Sequence, residues 1–438
     1  MIRNLLIAAA GVLLATLFSW VPGLHVYSVA GLVILVTAAP GNPLPPDRLA
    51  TFFLGLVTAY ATLNTVPSIF FSAPDDSTVF VVRPGQKYLL QSRGYEAALL
   101  SGIGSLGGVA VLVLLTPVAP ALCSTLRSLL QSHLHWVLWA VIAYLLLSEW
   151  PKGSHRAPAG WRRWWDGWRS LTAGLVTFFL SGLLGLILFY RSLVPVDVAY
   201  QALFPAFLGL FAVPSILQAL ISQVTIPRQH VARTLDVTPG LIARGTLAGA
   251  LGGLFAAFFP VVTGGIGALL AGHATAQQDD RTFLISQGAS KLIYYSGAFL
   301  LFFVPRLHLT RGGMASMLSG YWSAHTPRAY LLAVTAVLFS GLLSFFSLLL
   351  MARAAIRLLS VVSYRWINLG TLIVLLTVLM TTMGWGGLLI CLVATGIGLI
   401  PLFWGSRRVN GMGVLLLPLA LNMVGWGGAI ARWLGLLR

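Results

Sequence analysis

Apolar runs of membrane-spanning length recur along the whole chain, and they limit its fold more than any other feature. A helix needs roughly 20 mostly apolar residues to cross the hydrocarbon core of a bilayer. Only 8% of the 438 residues are charged, whereas a soluble domain carries about 25%. Too few charges remain to build a water-exposed surface. The sequence therefore predicts an all-α polytopic membrane protein with about 10–12 transmembrane segments.

Two of the apolar runs are interrupted at prolines that coincide when the sequence is shifted by 238 residues. The shift superposes two ladders of small residues, which are Gly11, Ala15, Ser19 and Pro22 on Gly249, Gly253, Ala257 and Pro260. Small residues at every fourth position let another backbone approach one helix face, and proline then removes a backbone donor. The pattern predicts two repeats with broken or re-entrant helices at Pro22 and Pro260.

The repeat divides the chain into three predicted parts. Residues 1–170 form the first transmembrane repeat, 171–237 form connecting transmembrane segments, and 238–438 form the second repeat with C-terminal helices. Parallel and inverted repeats both occur in secondary transporters. The sequence leaves this choice open.

The basic residues outnumber the acidic ones by 27 to 10, but their placement does not indicate nucleic-acid binding. They lie between apolar runs, where the positive-inside rule places them. The segment from Lys152 to Arg169 interleaves basic residues with tryptophans, which predicts a cytoplasmic interfacial loop in contact with membrane lipid. We expect a multi-pass protein of the cytoplasmic (inner) cell membrane, without nucleic-acid partners.

Asp75 and Asp76 are two of only ten acidic residues, and they follow a full apolar segment. Carboxylates at membrane depth commonly bind a proton or a cation. We predict that both couple transport to Na⁺ or H⁺, while the neighbouring Ser77, Thr78 and Arg83 meet an anion. An ordinary solvated connector is the alternative interpretation.

The two breaks supply a second group of predicted substrate-binding residues. A helix that begins inside the membrane directs free N–H groups and its positive dipole end at an anion. His25 and Thr263 coincide under the same shift and can hydrogen-bond a carboxylate or a phosphate. For His25 the alternative is a partner on a neighbouring backbone carbonyl. The predicted residues at the breaks are Pro22, Gly23, His25, Pro260, Thr263, Gly264 and Gly265.

Other polar residues within apolar runs have a simpler interpretation as hydrogen bonds between helices. Asn64 and Lys291 belong to this group, although a buried ammonium needs a partner. No hydrolase, nucleotide-binding or metalloprotease motif occurs in the sequence, and Cys123 and Cys391 are isolated from other metal ligands. We therefore predict a protein that is not an enzyme and that holds no metal or organic cofactor.

The stretch from Pro67 to Ala97, PSIFFSAPDDSTVFVVRPGQKYLLQSRGYEA, resembles the archaeal-type branch of the tripartite tricarboxylate transporter large-subunit (TctA) family. The break at Pro22 and Gly23 resembles the other hallmark of that family. The second break departs from it, because Val261 stands where a glycine is expected after Pro260.

The resemblance implies a permease with duplicated halves that moves a small organic carboxylate by ion coupling. It also implies a small membrane subunit and a periplasmic or extracellular binding protein as partners, and a homodimer is a further assembly that the sequence leaves open. Polyprenyl-phosphate transporters of the PopT type have similar duplicated breaks. A transporter or flippase of that lipid phosphate is therefore the alternative function.

Overall fold

The computed structural model describes residues 2–21, 24–37, 45–71, 73–75, 77–149, 160–191, 193–194, 203–222, 225–305, 307, 309–320, 322–323 and 326–437. Within these ranges the regular structure is helical and contains no strand. The predicted all-α class is confirmed. Pro22, Gly23 and Asp76 lie outside the described residues.

The chain divides into two compact units, of which the first comprises Met1–Leu129 and Ser222–Thr371. Its N-terminal half contains α1 (Ile2–Phe18), α2 (Val26–Thr37), α3 (Pro46–Leu63), α4 (Thr65–Phe70), α5 (Val79–Leu90), α6 (Gly94–Leu115) and α7 (Ala119–Leu130).

The second unit comprises Leu130–Ile221 and Leu372–Arg438. It begins with a 3₁₀ turn at Gln131–His133 and then contains α8 (Leu134–Leu147), α9 (Trp161–Tyr190), α10 (Leu203–Phe207) and α11 (Val213–Ile221), with a π-helical turn at Leu208–Ala212 between the last two.

The chain then returns to the first unit. This half contains α12 (Pro239–Phe258), α13 (Gly264–Ala274), α14 (Asp280–Leu292), a π-helical turn at Ile293–Gly297, α15 (Ala298–Leu300), α16 (Gly312–Ser319) and α17 (Pro327–Val361). The next helical stretch, α18 (Tyr364–Trp404), continues into the second unit and is kinked at Gly384, where φ is 62°. The second unit ends with a 3₁₀ turn at Arg408–Met412, α19 (Gly413–Val424) and α20 (Gly427–Trp433).

Eight helices of the described residues are long and apolar enough to cross a membrane, or nine if the bent pair at Arg408–Val424 and Gly427–Trp433 counts as one span. The protein is therefore a multi-pass membrane protein. The apolar helices α1 and α2 are shorter, at 17 and 12 residues. The count of 10–12 crossings stays a prediction.

The segment predicted as a basic, tryptophan-rich loop is partly helical. Helix α9 begins at Trp161, so Arg162, Arg163 and Arg169 lie on its first turns. The preceding Lys152 lies outside the described residues. The prediction of a loop is wrong for Trp161–Arg169, because this segment continues directly into an apolar span and shares its helical backbone.

In the first unit, two series of helices follow the same order. Helix α1 packs on α3 and α12 packs on α14, while α3 contacts α17 and α14 contacts α6. The glycine ladders lie in these contacts: a Cβ on Gly11 would be 2.2 Å from the Phe52 carbonyl oxygen, and one on Gly249 would be 2.3 Å from that of Ser286. A duplicated unit would pack reciprocally in this way, and the repeat itself stays a prediction.

The second break keeps an unusual backbone. Val261 has a φ of 62°, a left-handed value that glycine adopts readily and a β-branched residue rarely does. It occupies the position at which the first repeat has Gly23. Helix α13 then begins at Gly264, which confirms the helix start predicted from the sequence at this break. The Thr263 hydroxyl accepts a hydrogen bond from the Ile266 N–H at 3.4 Å.

Candidate substrate and ion site

A connected group of polar side chains lies inside the first unit, between the loop that follows α4 and the middle of α14. We call it the central network, and its members are Tyr60, Asn64, Thr65, Asp75, Ser77, Thr78 and Lys291. All of them are buried except Asp75, which is partly buried. The network therefore places one acidic and one basic side chain in the interior of a membrane protein.

Lys291 is fully buried, with an exposed fraction of 0%. Its ammonium donates to the Asn64 Oδ1 at 2.7 Å and to the Thr65 hydroxyl at 2.5 Å. The start of α13 packs against the same turn of α14, because a Cβ on Gly264 would lie 2.9 Å from the Lys291 Cα. A buried ammonium needs such acceptors and a counter-charge to be tolerated.

Asn64 links the ammonium to a carboxylate. The residue ends α3, and its Nδ2 donates to the Asp75 Oδ2 at 2.9 Å and to the Ser77 hydroxyl at 3.2 Å. Its oxygen faces Lys291 and its nitrogen faces Asp75, an orientation that both charges favour. One amide thus joins a partly buried carboxylate to a fully buried ammonium that is far away in sequence.

The Asp75 carboxylate accepts six hydrogen bonds. Its Oδ1 accepts from the backbone N–H and the hydroxyl of both Ser77 and Thr78, at 2.8–3.0 Å, and its Oδ2 accepts from the Tyr60 hydroxyl at 2.5 Å and from Asn64. The loop is therefore folded around this carboxylate. In this structure the Ser77 and Thr78 hydroxyls serve Asp75, and their contact with substrate stays a prediction.

An aromatic group connects the first break to the network. The His25 Nε2 lies 3.1 Å from the Tyr295 hydroxyl, and the Tyr27 N–H donates to the His25 Nδ1 at 3.2 Å. Because Nδ1 accepts, the proton of the neutral ring lies on Nε2. The His25 ring is 5.4 Å from that of Tyr60, which binds Asp75 directly.

The second break meets the same loop. A Cβ on Gly265 would be 2.8 Å from the Ser77 carbonyl oxygen, so the first turn of α13 lies against the loop that holds Asp75. Pro260 is partly buried at the turn before α13. Arg83 is exposed on α5 and lies outside the central network.

A small cavity adjoins the network near the first break. Its volume is about 10 Å³, and it is lined by Ser19, Val21, Leu24, Tyr60, Asn64, Pro67, Ser68, Ala73 and Asp75. That volume suits about one water molecule. The space beside Asp75 is therefore smaller than a multi-carbon carboxylate.

Comparison with known proteins assigns the chain to a family. The family model described as "Tripartite tricarboxylate transporter TctA family" matches residues 5–413. The chain belongs to the TctA family. It is also 23% identical over 427 residues to the Uncharacterized protein MJ1079 of Methanocaldococcus jannaschii, across 95% of this chain and 98% of that protein. No solved structure matches this chain.

Membership of the TctA family confirms the resemblance found in the sequence and makes the protein a transporter component. Sequence reasoning interpreted Asn64 and Lys291 as contacts between helices and noted that the buried ammonium of Lys291 needs a partner, but it passed over Tyr60 and Tyr295. Lys291 carried a usable signal, since an ionisable residue within an apolar run is a functional candidate by default. The tyrosines carried none, because aromatic residues occur in most apolar runs of this TctA protein.

Proposed function

We propose that this chain is the permease of a secondary transport system and moves a small organic carboxylate across the cytoplasmic membrane with coupling to Na⁺ or H⁺. The observation that carries the proposal is the Asn64 bridge between Asp75 and the fully buried Lys291. A buried ammonium is a natural partner for an anion that must leave water.

Charge balance gives this network a coupling mechanism. An unpaired charge in a membrane interior is costly, so the site favours states that are close to neutral. Without substrate, Asp75 balances Lys291. When a substrate carboxylate pairs with Lys291, a proton or Na⁺ at Asp75 restores the balance, and the two species then cross together.

The small cavity supports a mechanism in which the site opens to one side at a time. The space beside Asp75 holds about one water, so substrate must enter through a rearrangement of the surrounding helices. The second break, where Val261 has a left-handed backbone before α13 begins at Gly264, is the place at which such a movement would begin.

The family name supports the further proposal that a small membrane subunit and a periplasmic or extracellular binding protein assist this permease. The binding protein would deliver the anion to the site. No observation on the described residues supports the alternative substrate, polyprenyl phosphate.

Transport by the purified protein in liposomes tests the proposal. We expect uptake of radiolabelled citrate, or of another member of a di- and tricarboxylate panel, when an inward Na⁺ or proton gradient is imposed. Lys291→Met should abolish this uptake. The absence of uptake for the whole panel, with binding protein and small subunit supplied, would overturn the proposed function.

A further inference from the structure

Gln287 is a fully buried glutamine on α14, with an exposed fraction of 0%. Neither the nitrogen nor the oxygen of its side-chain amide has a hydrogen-bond partner within the described part of the chain. Proteins rarely bury an amide in this way, because both polar atoms lose their bonds to water without replacement. A residue of this kind needs an explanation from its surroundings.

Gln287 lies one helical turn before Lys291, so both side chains project from the same face of α14. That face meets α3 and α4 where Lys291 contacts Asn64 and Thr65. At its outer end the same face meets α5, where Lys87 and Asp280 form an exposed ion pair. Gln287 therefore lies on this face between the partly exposed Asp280 and the central network, with the buried Leu284 on the turn that separates it from Asp280.

We propose that Gln287 is a substrate-contacting residue and that its amide pairs with the anion that Lys291 binds. The inference rests on the proposed carboxylate transport. Residues four apart on a helix have Cβ atoms about 5–6 Å apart, a spacing that one multi-oxygen anion can bridge. The anion supplies the hydrogen bonds that Gln287 lacks in this structure.

A neighbouring residue provides a matched control. Ser286 is also fully buried on α14, and its hydroxyl likewise has no partner among the described residues. Its backbone, however, faces α12, where Gly249 packs against the Ser286 carbonyl oxygen. Ser286 therefore resembles Gln287 in having a buried, unpaired polar side chain, but its backbone lies against a different helix.

The experiment replaces Gln287 in the full chain by residues of similar volume without an amide, as Gln287→Met and Gln287→Leu. The variants and Ser286→Ala are reconstituted in liposomes for citrate uptake, and their thermal unfolding is recorded in detergent. Removing an unpaired polar group should leave the melting temperature unchanged or raise it in all three. Loss of a hydrogen bond to a charged substrate should raise the KM for citrate roughly 10-fold to 100-fold in the Gln287 variants only.

Several results would overturn the inference. A KM within about twofold of the parent in a folded Gln287 variant would show that the amide does not contact the anion. Loss of folding in both Gln287 variants would show that the amide has partners inside the protein. A parent protein that transports no carboxylate would instead overturn the proposed function, and this inference with it, so the two failures are distinguishable.

Discussion

Asp75 and Lys291 share the amide of Asn64, and this sharing predicts how single and double replacements change stability. The Asn64 oxygen accepts from Lys291, while its nitrogen donates to Asp75. Asp75→Asn would put an NH₂ group, a donor, among groups that already donate to this carboxylate. Asn64 could turn its amide to accept from that group only by pointing its own NH₂ at the Lys291 ammonium.

The structure sets the expected magnitudes. Asp75→Asn removes the counter-charge of a buried ammonium, which typically costs about 3–5 kcal/mol. Lys291→Met should cost less, about 1–3 kcal/mol, because the partly buried Asp75 keeps all of its donors and the main loss is the donor to the Asn64 oxygen and the Thr65 hydroxyl. In the double variant the Asn64 amide is free to turn. We therefore expect the double variant to be about 2–3 kcal/mol more stable than the sum of the two single effects.

Unfolding of the purified protein by sodium dodecyl sulfate in mixed micelles, followed by far-ultraviolet circular dichroism, measures these differences. Lys291→Met combined with Thr381→Val is the control, because the exposed Thr381 bonds only to carbonyls of its own helix and should give an additive result. An Asp75–Lys291 cycle that is additive within about 0.5 kcal/mol would refute the bridge through Asn64.

Three further predictions concern the backbone and the second unit, each measured by the same unfolding assay. Val261→Gly should raise the free energy of unfolding by about 1 kcal/mol, since relief of a left-handed backbone exceeds the added entropy of glycine; a loss of stability would contradict the strain. Gly249→Ala should cost about 1–3 kcal/mol, because the added methyl group meets the backbone of α14. The control Gly240→Ala, in open space on the same helix, should be neutral or stabilising. Equal effects of the two replacements would contradict the close packing of the glycine ladder. Glu149→Leu should cost about 2 kcal/mol or more, because the Glu149 carboxylate accepts hydrogen bonds from the Arg407 backbone N–H at 2.6 Å and from the Asn410 side chain at 3.2 Å. Unchanged stability would mean that these two donors find other acceptors.

The fold class could be predicted from the sequence because it follows from a local property, the length of the apolar runs. The number of crossings could not, since several apolar helices are too short to decide by length. Helix α2 has only 12 residues. Helix α14 is followed directly by the π-helical turn at Ile293–Gly297. Whether such segments cross the bilayer depends on their tertiary neighbours.

The candidate site could be predicted only in part. The helix start at Gly264 followed from Pro260 and the glycines after it, and the loop at Asp75 was found because acidic residues are scarce. The partner of Lys291 could not be found in this way, since Asn64 lies 227 positions earlier in the chain. The left-handed backbone at Val261 also had no local signal, because valine disfavours it and the surrounding fold imposes it.

The central claim is that one buried charge pair couples the substrate anion to a cation, and uptake by Asp75→Asn tests it most directly. With Asp75 neutral, Lys291 and the substrate carboxylate balance each other without a bound proton or Na⁺. The variant and the parent are reconstituted in liposomes and loaded under identical conditions. We predict that the variant still exchanges labelled for unlabelled citrate. It should no longer accumulate citrate in response to a Na⁺ or proton gradient. Gradient-driven accumulation at the rate of the parent would contradict the claim.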